Sequence, residues 1–228
     1  MSTAQPKRSV NSPTLDYFDL PKLEPKISAD IDEYLKHKDI IERRLWFNTS
    51  VTSMDEVDIV DSTALLVTDI VHHIIQYNRD DADIPVDKRK PIRLYINSPG
   101  GDMYEGFALI DAIQLSKTPV YTYNVGMCAS MGFLIYIAGH KRFSFPRAIY
   151  LLHDGFSGSI SSTGKFLDTA DFSKRYEKEV IKTYVLAQTN IGEKEYDEHL
   201  RVEWYMLPND ALKLGVTHEI AQNINDLL

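Results

Sequence analysis

Pro91-Ile92-Arg93-Leu94-Tyr95-Ile96-Asn97-Ser98-Pro99-Gly100-Gly101 is the stretch from which the fold can be read. Up to Ile96, apolar and polar residues alternate, the period of a strand with one buried face. Asn97 to Gly101 has the composition of a tight turn, and a helix is expected from about Tyr104 to Leu115. A second strand, Pro119 to Val125, gives way to Ala129–Ala138, an almost wholly apolar helix. That helix is too short to span a membrane, which takes roughly 18 or more apolar residues, so it is expected to be buried. Short strands follow at Arg142–Phe145 and Ala148–Leu152. Strand, helix, strand, helix, strand is the pattern of an α/β domain with a mainly parallel sheet.

Upstream, Arg44–Val51 reads as a strand, preceded by a short helix around Ile31–Lys38. Ser53 and Glu56 form a capping box, after which Val57, Val60, Ala64, Val67, Val71 and Ile74 recur at steps of three and four, one apolar helix face. His72 and His73 fall at the end of that pattern, where last-turn histidines suit the negative end of a helix better than a metal does. Asn78–Lys90 is a charged loop. Downstream, helical patterning runs from Thr163 to Gln188. At ~1.5 Å per residue it spans almost 40 Å, more than the core of such a domain, so one end should project and pack on another subunit. A last helix, Asn209–Leu214, stops at Gly215.

The 228 residues suit one domain with extensions: a polar arm over 1–26, punctuated by Pro6, Pro13, Pro21 and Pro25, and a folded unit over 27–228. Lys and Arg number 25 against 33 Asp and Glu, a net charge of −8 that argues against broad binding to nucleic acid. One cysteine excludes an internal disulfide and a cysteine-rich zinc site. With no apolar signal segment and no spanning helix, a cytoplasmic protein without membrane contact is expected.

Three segments carry chemistry. Gly100-Gly101 closes a strand, where absent Cβ atoms let backbone amides face a cleft and stabilise an oxyanion. No Gly-Lys-Ser/Thr follows, so the turn is not a nucleotide P-loop. Gly126-Met127-Cys128-Ala129-Ser130-Met131-Gly132 lies where a strand meets the buried helix. Ser130 there is either a helix N-cap or a nucleophile beside the Met131 amide, an oxyanion donor. The spacing is not that of the Gly-x-Ser-x-Gly elbow. His153, at the end of the strand Ala148–Leu152, is the candidate base for a serine.

Taken together, Ile96–Gly101, Gly126–Gly132 and Leu152-His153 resemble, in order and spacing, the signature segments of the Clp protease proteolytic subunit (ClpP) family. The likeness spans roughly residues 30 to 220. It implies a crotonase/ClpP-like α/β fold of mainly parallel stacked sheets with flanking helices, the long helix being a projecting handle. It implies a serine endopeptidase acting on unfolded proteins or peptides, with Ser130 the nucleophile, His153 the base, and Gly101 and Met131 the oxyanion amides. It further implies heptameric rings stacked as a double ring around a chamber, an AAA+ unfoldase that consumes ATP, and no cofactor in the chain itself.

The departures are specific. The family's third triad member is an aspartate, and that position falls on Glu203, one methylene longer; Asp154, Asp197 and Asp210 are the fallback acids. A catalytically impaired subunit of a mixed ring is therefore the alternative, and another crotonase-fold enzyme a further one, a hydratase using Asp102 or Glu105 or a Ser/Lys peptidase using Lys141. Asp154–Ile160 replaces the family's usual substrate-binding strand. Tyr95 keeps one aromatic of the expected unfoldase pocket, while Arg93 stands where a second is common. Cys128 reads as a small core side chain, and Ser162-Thr163-Gly164-Lys165 as the opening of the long helix.

Overall fold

The computed structural model describes residues 31–51, 66–155 and 161–227. The arm over 1–26, the Ser53–Glu56 capping box and the first half of the Val57–Ile74 pattern lie outside the described residues.

The strands β1 (Arg44–Phe47), β2 (Ile92–Ser98), β3 (Val120–Ala129), β4 (Lys141–Ser144), β5 (Ile149–Leu152), β6 (Trp204–Met206) and β7 (Glu219–Ile220) join in one sheet of order β1-β2-β3-β4-β7. All these neighbours are parallel. The sheet forks at β3: Tyr121–Asn124 pair with β4, and Met127–Ala129 pair with β5, which carries β6 antiparallel on its far side. The connecting helices α2 (Val67–Asp80), α3 (Met103–Leu115) and α4 (Met131–Ile137) supply the apolar faces that parallel strands require. α1 (Ile31–Ile41) precedes β1.

Alternation sorts the strand residues between two sides. Leu45, Phe47, Leu94 and Ile96 enter the main core with Ile70, Ile74, Ile110 and all seven residues of α4. On the other side, Trp46, Tyr95, Tyr123 and Phe143 stand in register across β1 to β4. They stack at centroid separations of 4.5, 4.8 and 4.7 Å. The Tyr95 hydroxyl donates to the Leu227 carbonyl at 2.6 Å, so the C-terminal segment closes over this row.

The helix expected to stop near the paired histidines runs on to Asp80, because Tyr77 extends its buried stripe by another turn and donates to the Ile40 carbonyl at 2.6 Å. His72 and His73 are therefore mid-helix and cap nothing. Among the described residues no three His, Cys, Asp or Glu side chains are grouped to hold a metal. Immediately after α2, Asp81, 1% exposed, accepts both guanidinium nitrogens of Arg43 at 2.7 Å and the Thr118 hydroxyl at 2.9 Å. The Arg43 bonds hold the Asp81 carboxyl below its ordinary value against the upward push of burial. A depressed carboxyl stabilises the fold above its unfolded value of about 3.9, and that contribution is lost as pH falls through the folded value. Asp81→Asn is expected to cost about 3 kcal/mol at pH 7 and progressively less below about pH 4, by urea denaturation at both pH values.

The long helix is present as one continuous rod. α5 (Thr163–Tyr176) passes through a π-helical stretch, Glu177–Lys182, into α6 (Thr183–Gln188) with helical dihedrals at both joints. No residue of α5 is buried in the single chain, and Phe166, Leu167 and Phe172 are 49%, 55% and 47% exposed, so its outer half projects with an apolar surface. Sequence patterning missed α7 (Glu193–His199) and the short strands β6 and β7, whereas α8 (Pro208–Lys213) and Gly215 at φ +66 stand where the patterning put a helix and its stop. Among the described residues no helix is long and apolar enough to cross a membrane.

Candidate active site

Ser130 occupies the junction of β3 and α4 with φ 53 and ψ −122. A serine cap would have extended backbone and accept an amide bond through its hydroxyl. Ser130 does neither, and its amide instead donates to the Leu151 carbonyl at 2.9 Å. Holding a side-chain-bearing residue at positive φ costs of order 1–3 kcal/mol and persists only where surroundings enforce it. Here they do: β3 is tied to β5 up to Ala129, and α4 begins at Met131 inside the core.

The Gly100-Gly101 turn abuts this junction. A Cβ on Gly100, whose φ is +102, would fall 2.6 Å from Ser130 Cβ and 3.0 Å from the Met131 amide nitrogen. Gly101 (φ +144) lies in an isolated parallel bridge with Val51, where the Val51 amide donates to Gly100 O at 2.7 Å and the Asp102 amide to Val51 O at 2.6 Å. In parallel pairing, a residue whose flanking groups make the bonds turns its own N–H to the opposite side. The Gly101 amide is thereby directed away from Val51, and that of Met131 lies at the first position of a helix, where amides lack intrahelical acceptors.

Two asparagines hold the fork and were not anticipated from sequence. The β2–β3 register slips between Ile96 and Ser98. In the gap, Asn97 Oδ1 accepts the Met127 amide at 3.0 Å while its Nδ2 donates to Asn48 at 2.6 Å. Asn124 Oδ1 accepts the Gly126 amide at 3.1 Å, and its Nδ2 donates to the Ile149 carbonyl at 3.0 Å. These side chains replace ladder bonds where β3 changes partner, and so aim Ala129 and Ser130.

His153 follows β5 directly, partly exposed. The antiparallel register Tyr150↔Met206, Leu151↔Tyr205, Leu152↔Trp204 ends one residue short of His153 and Glu203, which flank its last pair on the two strands; one further step of the same register would bring them opposite each other. Cβ atoms of directly opposed residues lie about 4.5–5.5 Å apart, within reach for a carboxylate and an imidazole. The Glu203 carboxylate accepts the Tyr205 hydroxyl at 2.9 Å. Among the described residues, no hydrogen bond joins Ser130 to His153, or His153 to Glu203.

The other candidate groups are engaged elsewhere. Asp197 binds Lys182 at 2.7 Å, and Asp210 caps α8 through the Leu207 amide at 3.4 Å. Asp154 is exposed, and its amide donates to the Leu200 carbonyl at 3.0 Å. Asp102 caps α3 through the Tyr104 and Glu105 amides. Lys141 pairs with Glu219 at 2.7 Å and stands in register with Tyr121. At ~3.3 Å per strand residue, that places it roughly 30 Å from Ser130, too far to be its base. Cys128 is fully buried, and burial pushes its thiol well above the ordinary value, as a core side chain requires.

Comparison with known proteins bears on the same region. The family model described as Clp protease matches residues 84–224, more than half of the chain. The ATP-dependent Clp protease proteolytic subunit 2 of Treponema denticola is 33% identical over 142 residues, 60% of this chain and 70% of that protein. The ATP-dependent Clp protease proteolytic subunit of Streptococcus mutans is 34% identical over 141 residues, covering 60% and 71%. A solved structure of a ClpP1 variant from Listeria monocytogenes superposes with a TM-score of 0.67 over 85% of this chain and 99% of that one, at 22% identity, a likeness of fold.

Proposed function

The chain belongs to the Clp protease family, and from that premise we propose that it is a serine endopeptidase of unfolded proteins and peptides, with Ser130, His153 and Glu203 as its triad. The observation that carries the reading is the enforced positive φ of Ser130 beside the Gly100-Gly101 turn. It sets the Ser130 side chain at a strand end beside that turn and the Met131 amide, and among the described residues neither the Gly101 nor the Met131 amide donates a hydrogen bond. In the reaction, Ser130 Oγ attacks the peptide carbonyl carbon as His153 takes its proton. The Gly101 and Met131 amides receive the charge that develops on the carbonyl oxygen. His153 then protonates the leaving amine, and water resolves the acyl-enzyme by the same route. Glu203 fixes the imidazole and stabilises its charged form.

The exposed apolar half of the long helix supports assembly through that rod into the stacked heptameric rings of the family resemblance, with the sites in a chamber fed by an ATP-consuming unfoldase. The unlinked Ser130, His153 and Glu203 of the single chain support a site that aligns on assembly, since catalytic hydrogen bonds tighten in the working complex. Fluorophosphonate labelling combined with native mass measurement tests this. A label on Ser130, concentrated in the high-mass species, is the expected result. Wild-type protein unlabelled in both the single-chain and assembled forms would sink the proposal.

A weakly catalytic subunit of a mixed ring is the second reading, favoured by glutamate standing at the acid's position in place of aspartate. It expects Glu203→Asp to raise peptidase activity several-fold, and equal rates would remove it.

A further inference from the structure

We propose that Tyr205 is a positioning residue for Glu203, drawing the carboxylate of this longer acid along β6 to the level of Leu151, toward which the imidazole of His153 has to lean to meet Ser130. The assignment rests on Glu203 being the triad acid. Residues two apart on a strand project from one face, and Tyr205 Oη donates to Glu203 Oε2 at 2.9 Å. Trp204, between them, faces the other way and stacks on His199 at 4.0 Å, which anchors β6 in this register.

The direction of pull matters. Ser130 is tied by its amide to Leu151, two residues before His153. To reach Ser130 Oγ, the imidazole has to lean back along β5 toward Leu151. Tyr205 stands opposite Leu151. A carboxylate drawn to Tyr205 therefore leans the same way as the working imidazole, and its Oε1, which accepts no hydrogen bond among the described residues, can take the imidazole N–H.

Glutamate has one more rotatable bond than aspartate, and Glu203 is exposed, so an unassisted carboxylate would pay conformational entropy each time it docked. A hydroxyl bonded to an ionised carboxylate is among the stronger hydrogen bonds. The same bond pushes the Tyr205 hydroxyl above its ordinary value.

The test is a double-substitution cycle on the assembled full chain, with kcat and KM measured separately on a fluorogenic peptide. Tyr205→Phe is expected to lower kcat about tenfold with KM within about twofold, the pattern of a group acting on the transition state alone. In the Glu203→Asp background the same change should cost less than about twofold, because the shorter carboxylate does not extend to Tyr205. If that background is too slow to assay, the rate of fluorophosphonate labelling at Ser130 replaces kcat. A Tyr205→Phe kcat within about twofold of wild type, an effect carried by KM, or an equal loss in both backgrounds overturns the assignment. Wild-type protein without labelling at Ser130 overturns the parent reading, whereas labelled, active wild type indifferent to Tyr205→Phe overturns Tyr205 alone.

Discussion

Ser130→Ala is expected to lower kcat for a small fluorogenic peptide by at least about 10³-fold while KM changes less than about threefold. In the proposed mechanism the hydroxyl supplies the bond-forming atom, so its loss would remove the chemical step and leave the backbone around it in place. His153→Ala should fall to a similar residual rate, and the double substitution should fall no further, because nucleophile and base act as one unit. The remaining turnover would come from the Gly101 and Met131 amides. Stability is the control. Among the described residues Ser130 Oγ makes no hydrogen bond, so Ser130→Ala keeps the strained backbone and should leave the urea midpoint nearly unchanged. Ser130→Gly, which relieves a positive φ, should raise the midpoint and be equally inactive. A Ser130→Ala protein retaining more than about a tenth of wild-type kcat would remove Ser130 as the nucleophile.

Arg142→Met should destabilise the fold by about 3–5 kcal/mol, the largest stability effect expected of one polar side chain here. Arg142 is 5% exposed and, among the described residues, has no carboxylate partner. Its guanidinium donates instead to the Ile137 carbonyl at 2.9 Å, Gln188 at 2.8 Å and Gly215 at 2.7 Å. These carbonyls mark the C-terminal ends of α4, α6 and α8, where main-chain acceptors are unsatisfied and the helix dipoles are negative. One cation thus gathers three helix ends, including the root of the long rod. Methionine fills the stem but leaves one buried and two part-buried acceptors without this donor. Urea unfolding monitored by circular dichroism gives the value, and a loss below about 1 kcal/mol would show that water serves these carbonyls equally well.

The chemistry of the site was more legible in the sequence than its support. Gly100, Gly101, Ser130, Met131 and His153 could be singled out as candidates because the proposed chemistry needs particular residue types, glycine for close approach and a hydroxyl and an imidazole for proton transfer. Asn97 and Asn124 gave no signal, since an asparagine that replaces ladder bonds at a fork looks like any turn-forming asparagine until β3 is seen to change partner. Glu203 could be placed by counting back from Gly215. That it comes near the strand end carrying His153 follows only from the β5–β6 register, set by a strand too short for periodicity to detect.

By itself, the sequence determined the α/β alternation, the buried helix, the long rod and the candidate residues proposed for the reaction. Each of these is written in local patterns of apolar spacing, turn chemistry and residue type. The tertiary structure alone decided the positive φ of Ser130, the turning of the Gly101 amide away from Val51, the bonding of Glu203 to Tyr205 and the clasp of Arg142 on three helix ends. Those depend on contacts between residues distant in the chain or on register across strands, and neither is encoded in any single stretch of residues.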